Sequence, residues 1–329
     1  MHNYFPEIKR RSLYIVLLLS VLSCNKSDDF NALVPATADQ NPDLLSVEIN
    51  VAGHNRLVHY QTFGDPENPV LFILHGSASD MRAYLPLQIL SDKYHVVFWD
   101  MRGNGLSERC TAEELAIKEM PNEIEAMKKI FSPEEPVSIL GHSWSAFFVA
   151  RYIAEYPNSV KQAILIEPNG LKDAFMEDVG MALNLFTEGY MDMMLTNKYL
   201  TAKDQEMLDY QAQAMLLSGV RNFYCDPENQ PEWPIWRVGA YALIVWEKSL
   251  LQNGRFSFDY TEGLDVFPGE VLLVGTECSP IGYDFQAEYH QPLFQHAEVL
   301  RIENSGHRLL TENFDALIDG LKDFLVEYE

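Results

Sequence analysis

Apolar residues fall along this chain in two recurring patterns. Short apolar blocks occur at Val70 to Leu74, His95 to Trp99, Val137 to Leu140, Ala163 to Ile166, Glu270 to Val274 and Ala297 to Ile302. A strand covered on both sides needs apolar side chains on each, so such blocks predict strands of a largely parallel, buried sheet. Other stretches repeat apolar residues at helical spacing. Ala146 to Ala154 is one, and Phe314 to Tyr328 is another, with Leu317, Ile318, Leu321, Phe324 and Leu325 on one helix face. The expected class is α/β, a mostly parallel sheet flanked by helices.

The spacing of the blocks is uneven. The third and fourth blocks fall within Val137 to Ile166, but the fifth begins only near Glu270. Residues 171–262 must therefore form an excursion over the carboxyl edge of the sheet, and they read as a helical cap. Seven of the twelve methionines lie there, Met176, Met181, Met191, Met193, Met194, Met207 and Met215, together with aromatic residues such as Phe223, Trp233 and Trp236. Adaptable apolar walls of this kind favour a substrate with an apolar portion. The cap is acidic as well. An aminopeptidase would need carboxylates to bind a terminal ammonium, whereas most of these read as solvated helix surfaces.

The turns that end the strands carry the chemistry. Gly141-His142-Ser143-Trp144-Ser145 stands between a strand and a helix, where a sharp turn pushes the serine hydroxyl out at the sheet edge. The helix N-terminus and the next backbone N–H favour a developing oxyanion there. Ser145 occupies a position where glycine is usual. Two earlier turns complete the pattern: His75-Gly76-Ser77 after the block Val70 to Leu74, and Asp100-Met101-Arg102-Gly103-Asn104-Gly105-Leu106-Ser107 after the block His95 to Trp99.

These three ordered motifs resemble the α/β-hydrolase superfamily, most closely its proline iminopeptidase-like and esterase-like branch, over residues 44–329, which implies a mostly parallel eight-stranded sheet flanked by helices with the cap inserted after strand six. The resemblance implies Ser143 as nucleophile and His307 as base, the latter in Glu303-Asn304-Ser305-Gly306-His307 after the last strand. The backbone N–H groups of Ser77 and Trp144 are the implied oxyanion donors. The acid expected after strand seven is Glu277, in Gly275-Thr276-Glu277-Cys278, with Asp284 and Glu167 as alternatives; Cys278 stands where most relatives have aspartate. Asp100 and Arg102 are expected to pair and hold their glycine-rich loop. The iminopeptidase oxyanion loop, His-Gly-Gly-Pro-Gly, is replaced by His75-Gly76-Ser77-Ala78-Ser79.

Lys9-Arg10-Arg11, the apolar run Leu13 to Leu22 and Ser23-Cys24 read as an export signal too short to span a bilayer. The segment resembles a bacterial lipoprotein signal of the Bacteroidetes type, with Cys24 lipidated. The expected organisation is a signal peptide 1–23, a tether 24–42, a first core part 43–170, the cap 171–262 and a second core part 263–329. Lipid at Cys24 would hold the protein in the cell envelope. The formal net charge of -24 excludes nucleic acid as a partner, and no metal-binding spacing or cofactor motif occurs. Cys110, Cys225 and Cys278 allow one disulfide.

The expected activity is acyl transfer to water from a small ester, lactone or amide through an acyl-enzyme on Ser143. The alternatives are an iminopeptidase-like serine aminopeptidase and, from another class, a non-catalytic binding protein of the same fold.

Overall fold

The apolar blocks form the centre of one sheet. A computed structural model describes residues 33–178, 203–219, 223–253 and 255–325. The signal segment with Cys24, and Met181, Met191, Met193 and Met194, lie outside the described residues.

Eight strands lie in the order β1-β2-β4-β3-β5-β6-β7-β8: β1 (Ser46–Val51), β2 (His54–Phe63), β3 (Val70–Leu74), β4 (His95–Trp99), β5 (Val137–His142), β6 (Val160–Ile166), β7 (Glu270–Thr276) and β8 (Ala297–Ile302). β2 runs antiparallel to both its neighbours, and every other adjacent pair is parallel. All residues of β3, β4 and β5 are buried, as unbroken apolar blocks require.

Alternation along each strand sends side chains to two separate cores. Phe72, Leu74, Val97, Trp99 and Ile139 join one core with α1 (Met120–Phe131) and α2 (Trp144–Glu155). Leu71, Ile73, Val96, Phe98 and Leu140 join the other, which the C-terminal helix closes.

Between β6 and β7 the described helices are α3 (Asp173–Asp178), α4 (Gln205–Gly219) and α5 (Ala240–Ser249); the C-terminal helix is α6 (Phe314–Phe324). The insertion shares the core of the body. Trp246 of α5 is fully buried, with ring centroids 5.9 Å from Trp144 and 4.8 Å from Phe148. Asp209 of α4 is buried between Arg109 (3.0 Å) and Arg237 (2.7 Å), tying the insertion to the loop after β4.

The segment expected as a tether does not hang free from Val34 onwards. Val34, Thr37 and Ala38 are buried, the Ala38 N–H donates to the Leu106 carbonyl at 2.8 Å, and Arg237 donates to the Pro35 carbonyl at 3.0 Å. Apolar side chains and satisfied backbone groups make this stretch part of the folded body.

Candidate active site

Parallel strands end at a common edge, and the predicted site residues lie there. Ser143 follows β5 directly and caps α2 with φ 57°, ψ −120°, a backbone conformation that only a forced turn imposes on a side chain with a Cβ. Gly141 is required by the same turn, since a Cβ there would lie 2.7 Å from the backbone of Ser145 and Ala146. Ser145 fits because its hydroxyl is used: it accepts from the His142 N–H at 2.8 Å and lies 3.0 Å from the Leu74 carbonyl. Its hydroxymethyl group ties β5 to β3 across the turn.

The loop after β3 packs against this elbow. The Gly76 N–H donates to the Tyr84 hydroxyl at 2.9 Å, and that hydroxyl lies 2.7 Å from Nδ1 of His142. His142 is buried and held neutral, its pKa pushed well below the usual value first by burial and then by the His307 and Arg308 charges. Nε2 of His75 accepts from the Met101 N–H at 3.0 Å, so the loops after β3 and β4 are locked together.

Asp100 and Arg102 hold the loop after β4, but not by pairing with each other. Asp100 accepts the N–H groups of Met81 (2.8 Å) and Leu106 (2.7 Å), whereas Arg102 pairs with Glu123 of α1 at 3.0 Å. Expecting the pair overlooked a buried carboxylate arriving from a separate helix.

His307 meets Glu167, not Glu277. Oε2 of Glu167 lies 2.6 Å from Nδ1 of His307, and both residues are buried. The other oxygen, Oε1, accepts from the Thr276 N–H at 2.8 Å and from its hydroxyl. The imidazole lies between the tilted rings of His142, centroids 4.6 Å apart, and Phe223, 5.1 Å apart.

Glu277 is displaced by the strand it extends. Its N–H still donates to the Ile302 carbonyl, so the pleat sends its side chain to the side opposite Thr276. There it accepts from the Asn304 N–H at 2.8 Å and lies 3.7 Å from Arg301, with 41% of the side chain exposed. Asp284 is exposed beyond it and Cys278 forms a disulfide with Cys225, so neither supplies a carboxylate to the imidazole.

Residues 69–314 match the α/β-hydrolase fold family. The chain belongs to this family. It is a hydrolase, and its relatives span several chemistries. Proline iminopeptidase PfmaB of Pestalotiopsis fici is 24% identical over 85% of this chain and 98% of its own length. A cis-3-alkyl-4-alkyloxetan-2-one decarboxylase of Shewanella oneidensis is 22% identical over 83% of this chain and 86% of its own. A membrane phospholipase A described as a bacterial virulence factor superposes with TM-score 0.63 at 18% identity, covering 98% of this chain and 99% of its own.

In this α/β-hydrolase, Ser143, His307, Ser77 and Trp144 line one narrow cleft of about 40 Å³. Trp144 is the first residue of α2, so its N–H is among the orphan donors of a helix start. No hydrogen bond joins Ser143 Oγ to His307 in this geometry, a common looseness before substrate binds. Tyr84, Phe223, Trp233 and Arg308 also line the cleft; Phe223 and Trp233 are among the cap aromatics expected to supply apolar walls, whereas sequence reasoning assigned Tyr84 and Arg308 no role. Tyr84 and Arg308 carried one available signal, proximity to the His75-Gly76 and His307 motifs. Among the described residues no group of three or more His, Cys, Asp or Glu is placed to hold a metal.

Proposed function

We propose that this protein is a serine hydrolase that cleaves a small ester, lactone or amide through an acyl-enzyme on Ser143. The observation that carries the reading is the buried Glu167–His307 contact at 2.6 Å beside the strained Ser143 turn. Glu167 accepts a hydrogen bond from Nδ1–H, so Nε2 is the basic nitrogen. His307 takes the Ser143 hydroxyl proton as Oγ attacks the carbonyl, then returns it to the leaving group. The N–H groups of Ser77 and Trp144 receive the oxyanion. Water then attacks the acyl-enzyme with the same histidine as base, releasing the acid and restoring Ser143.

The small cleft favours a compact reacting portion, and the aromatic rings of Phe223 and Trp233 favour an apolar part of the substrate. A second reading, aminopeptidase action, is supported by the likeness to the iminopeptidase of Pestalotiopsis fici. It needs a carboxylate to receive the substrate ammonium, and none of the described cleft residues is one.

Export to the cell envelope with lipid on Cys24 is part of the proposal. The Cys225–Cys278 disulfide supports it, because such bonds persist in oxidising compartments. Loss of palmitate labelling in Cys24→Ala would agree with lipidation, and unchanged labelling would refute it.

A fluorophosphonate probe tests the nucleophile. Wild-type protein is expected to be labelled on Ser143 and to hydrolyse short 4-nitrophenyl esters, and Ser143→Ala to lose both. Wild-type turnover by the alanine variant would refute the assignment. Comparing acyl esters with prolyl-arylamides separates the two substrate readings: strong preference for the prolyl compound, abolished by N-acetylation, would favour the aminopeptidase.

A further inference from the structure

Arg308 is the one permanently charged side chain among the described residues that line the Ser143 cleft. That is against the composition of the chain, in which 48 acidic residues face 24 lysines and arginines. A long-range field of this sign repels anions, so a cation placed in the cleft has to act locally.

The guanidinium is positioned. Its carbon stands 4.3 Å from the Trp233 ring centroid and 5.5 Å from that of Phe223, and the residue is 8% exposed. The backbone is held too: the Arg308 N–H donates to the Phe223 carbonyl at 3.1 Å, and the Arg308 carbonyl accepts from the Thr311 N–H at 2.9 Å. Contact with aromatic rings holds the planar group while its N–H fork keeps the geometry that matches a carboxylate. Shielded from bulk water, such a pair is stronger than in it.

We infer that Arg308 determines specificity by receiving the carboxylate of an anionic substrate, so that the compound cleaved on Ser143 is a small ester, lactone or amide bearing a second, ionised acid group. The inference rests on the serine hydrolase reading above and deepens it. The carboxylate can belong to the acyl part or to the leaving group, and the test has an arm for each.

The full chain is assayed on matched pairs. The acyl arm compares 4-nitrophenyl hemiglutarate with its neutral methyl ester, and the leaving-group arm compares 3-acetoxybenzoate with methyl 3-acetoxybenzoate. In at least one arm wild type is expected to favour the anion about tenfold or more in kcat/KM, the scale of a charge-assisted hydrogen bond. Arg308→Met should lower turnover of that anion by about tenfold to a hundredfold and leave the neutral partner within about threefold, while Arg308→Lys retains an intermediate preference. The neutral ester also reports whether the variant is folded. Equal rates for anion and neutral ester in both arms, or an equal loss on both members of a pair in Arg308→Met, would overturn the inference. If fluorophosphonate labels Ser143 while no anion preference exists, Arg308 specificity alone fails. If wild type is neither labelled nor active on any ester, the hydrolase reading fails with it.

Discussion

Glu167 occupies its place for reasons that belong to single residues. It stands one position beyond β6 in the left-handed region (φ 41°), which turns the chain sharply at the sheet edge. Ala78 and Ser143 share this unfavourable conformation, so three of the loops around the cleft carry strain that the surrounding packing must hold in place. Thr276 fixes one oxygen of Glu167, which directs the other to His307. Replacing Glu167 by Gln keeps the shape but offers the imidazole the wrong hydrogen-bonding group. We expect Glu167→Gln to lose about 10³–10⁴-fold in kcat, in line with removal of the orienting acid from other triads. Glu277→Gln should stay within about threefold, because its exposed contact with Arg301 is of the kind worth little. Ester hydrolysis by the two purified variants decides between them, and a large loss in Glu277→Gln alone would reverse the assignment.

At the scale of elements, the segment Phe223–Cys225 clips the insertion to the body. Cys225 is bonded to Cys278 after β7, and its N–H donates to Glu312 at 2.8 Å. The other Glu312 oxygen accepts from the Gly306 N–H at 2.8 Å, so one carboxylate joins this segment to the loop that carries His307. Gly306 has no space for a side chain, since a Cβ would lie 2.6 Å from the Phe223 carbonyl. The disulfide closes a loop with a sequence separation of 53 and is expected to contribute about 2–4 kcal/mol. The double variant Cys225→Ser, Cys278→Ser should lose that amount in urea denaturation. Its ester turnover should fall as well, because Phe223 loses its anchor beside His307. Equal denaturation midpoints for the two proteins would contradict this role.

For the whole molecule, the junction between body and insertion depends on Asp80, which accepts the N–H groups of Arg82 and Arg237 at 2.9 Å and that of Trp236. Burial, and then the charge of Asp100, raise its pKa to about 7. The unfolded value is about 4, so the folded protein binds this proton more tightly. Its contribution to stability is full below about pH 4 and is lost as pH rises towards about 7. Buried His75 and His290, lowered by burial to about 4 and about 3, act with the opposite sign over much of the same window. Comparison with Asp80→Asn cancels them: the difference in Tm should shift in favour of the variant between about pH 4 and 7 and level off above. A difference that does not change with pH would show that Asp80 is ionised throughout. The same distinction of scales separates what the sequence carried from what it did not. Central strands, the Ser143 turn and the His307 loop were legible because each is local: an apolar block buried on both sides, or a strand, turn and helix within a few residues. Glu167 was only one of three candidates, because its contact with His307 spans 140 positions. That contact depends on the register of β6, β7 and β8, which no local pattern records. The partner of Cys278, the cores shared with α5, the burial of Val34 and the entry of Arg308 into the cleft were decided in the same way. Each depends on which remote surface the chain meets, and burial against that surface is settled only when the whole chain packs.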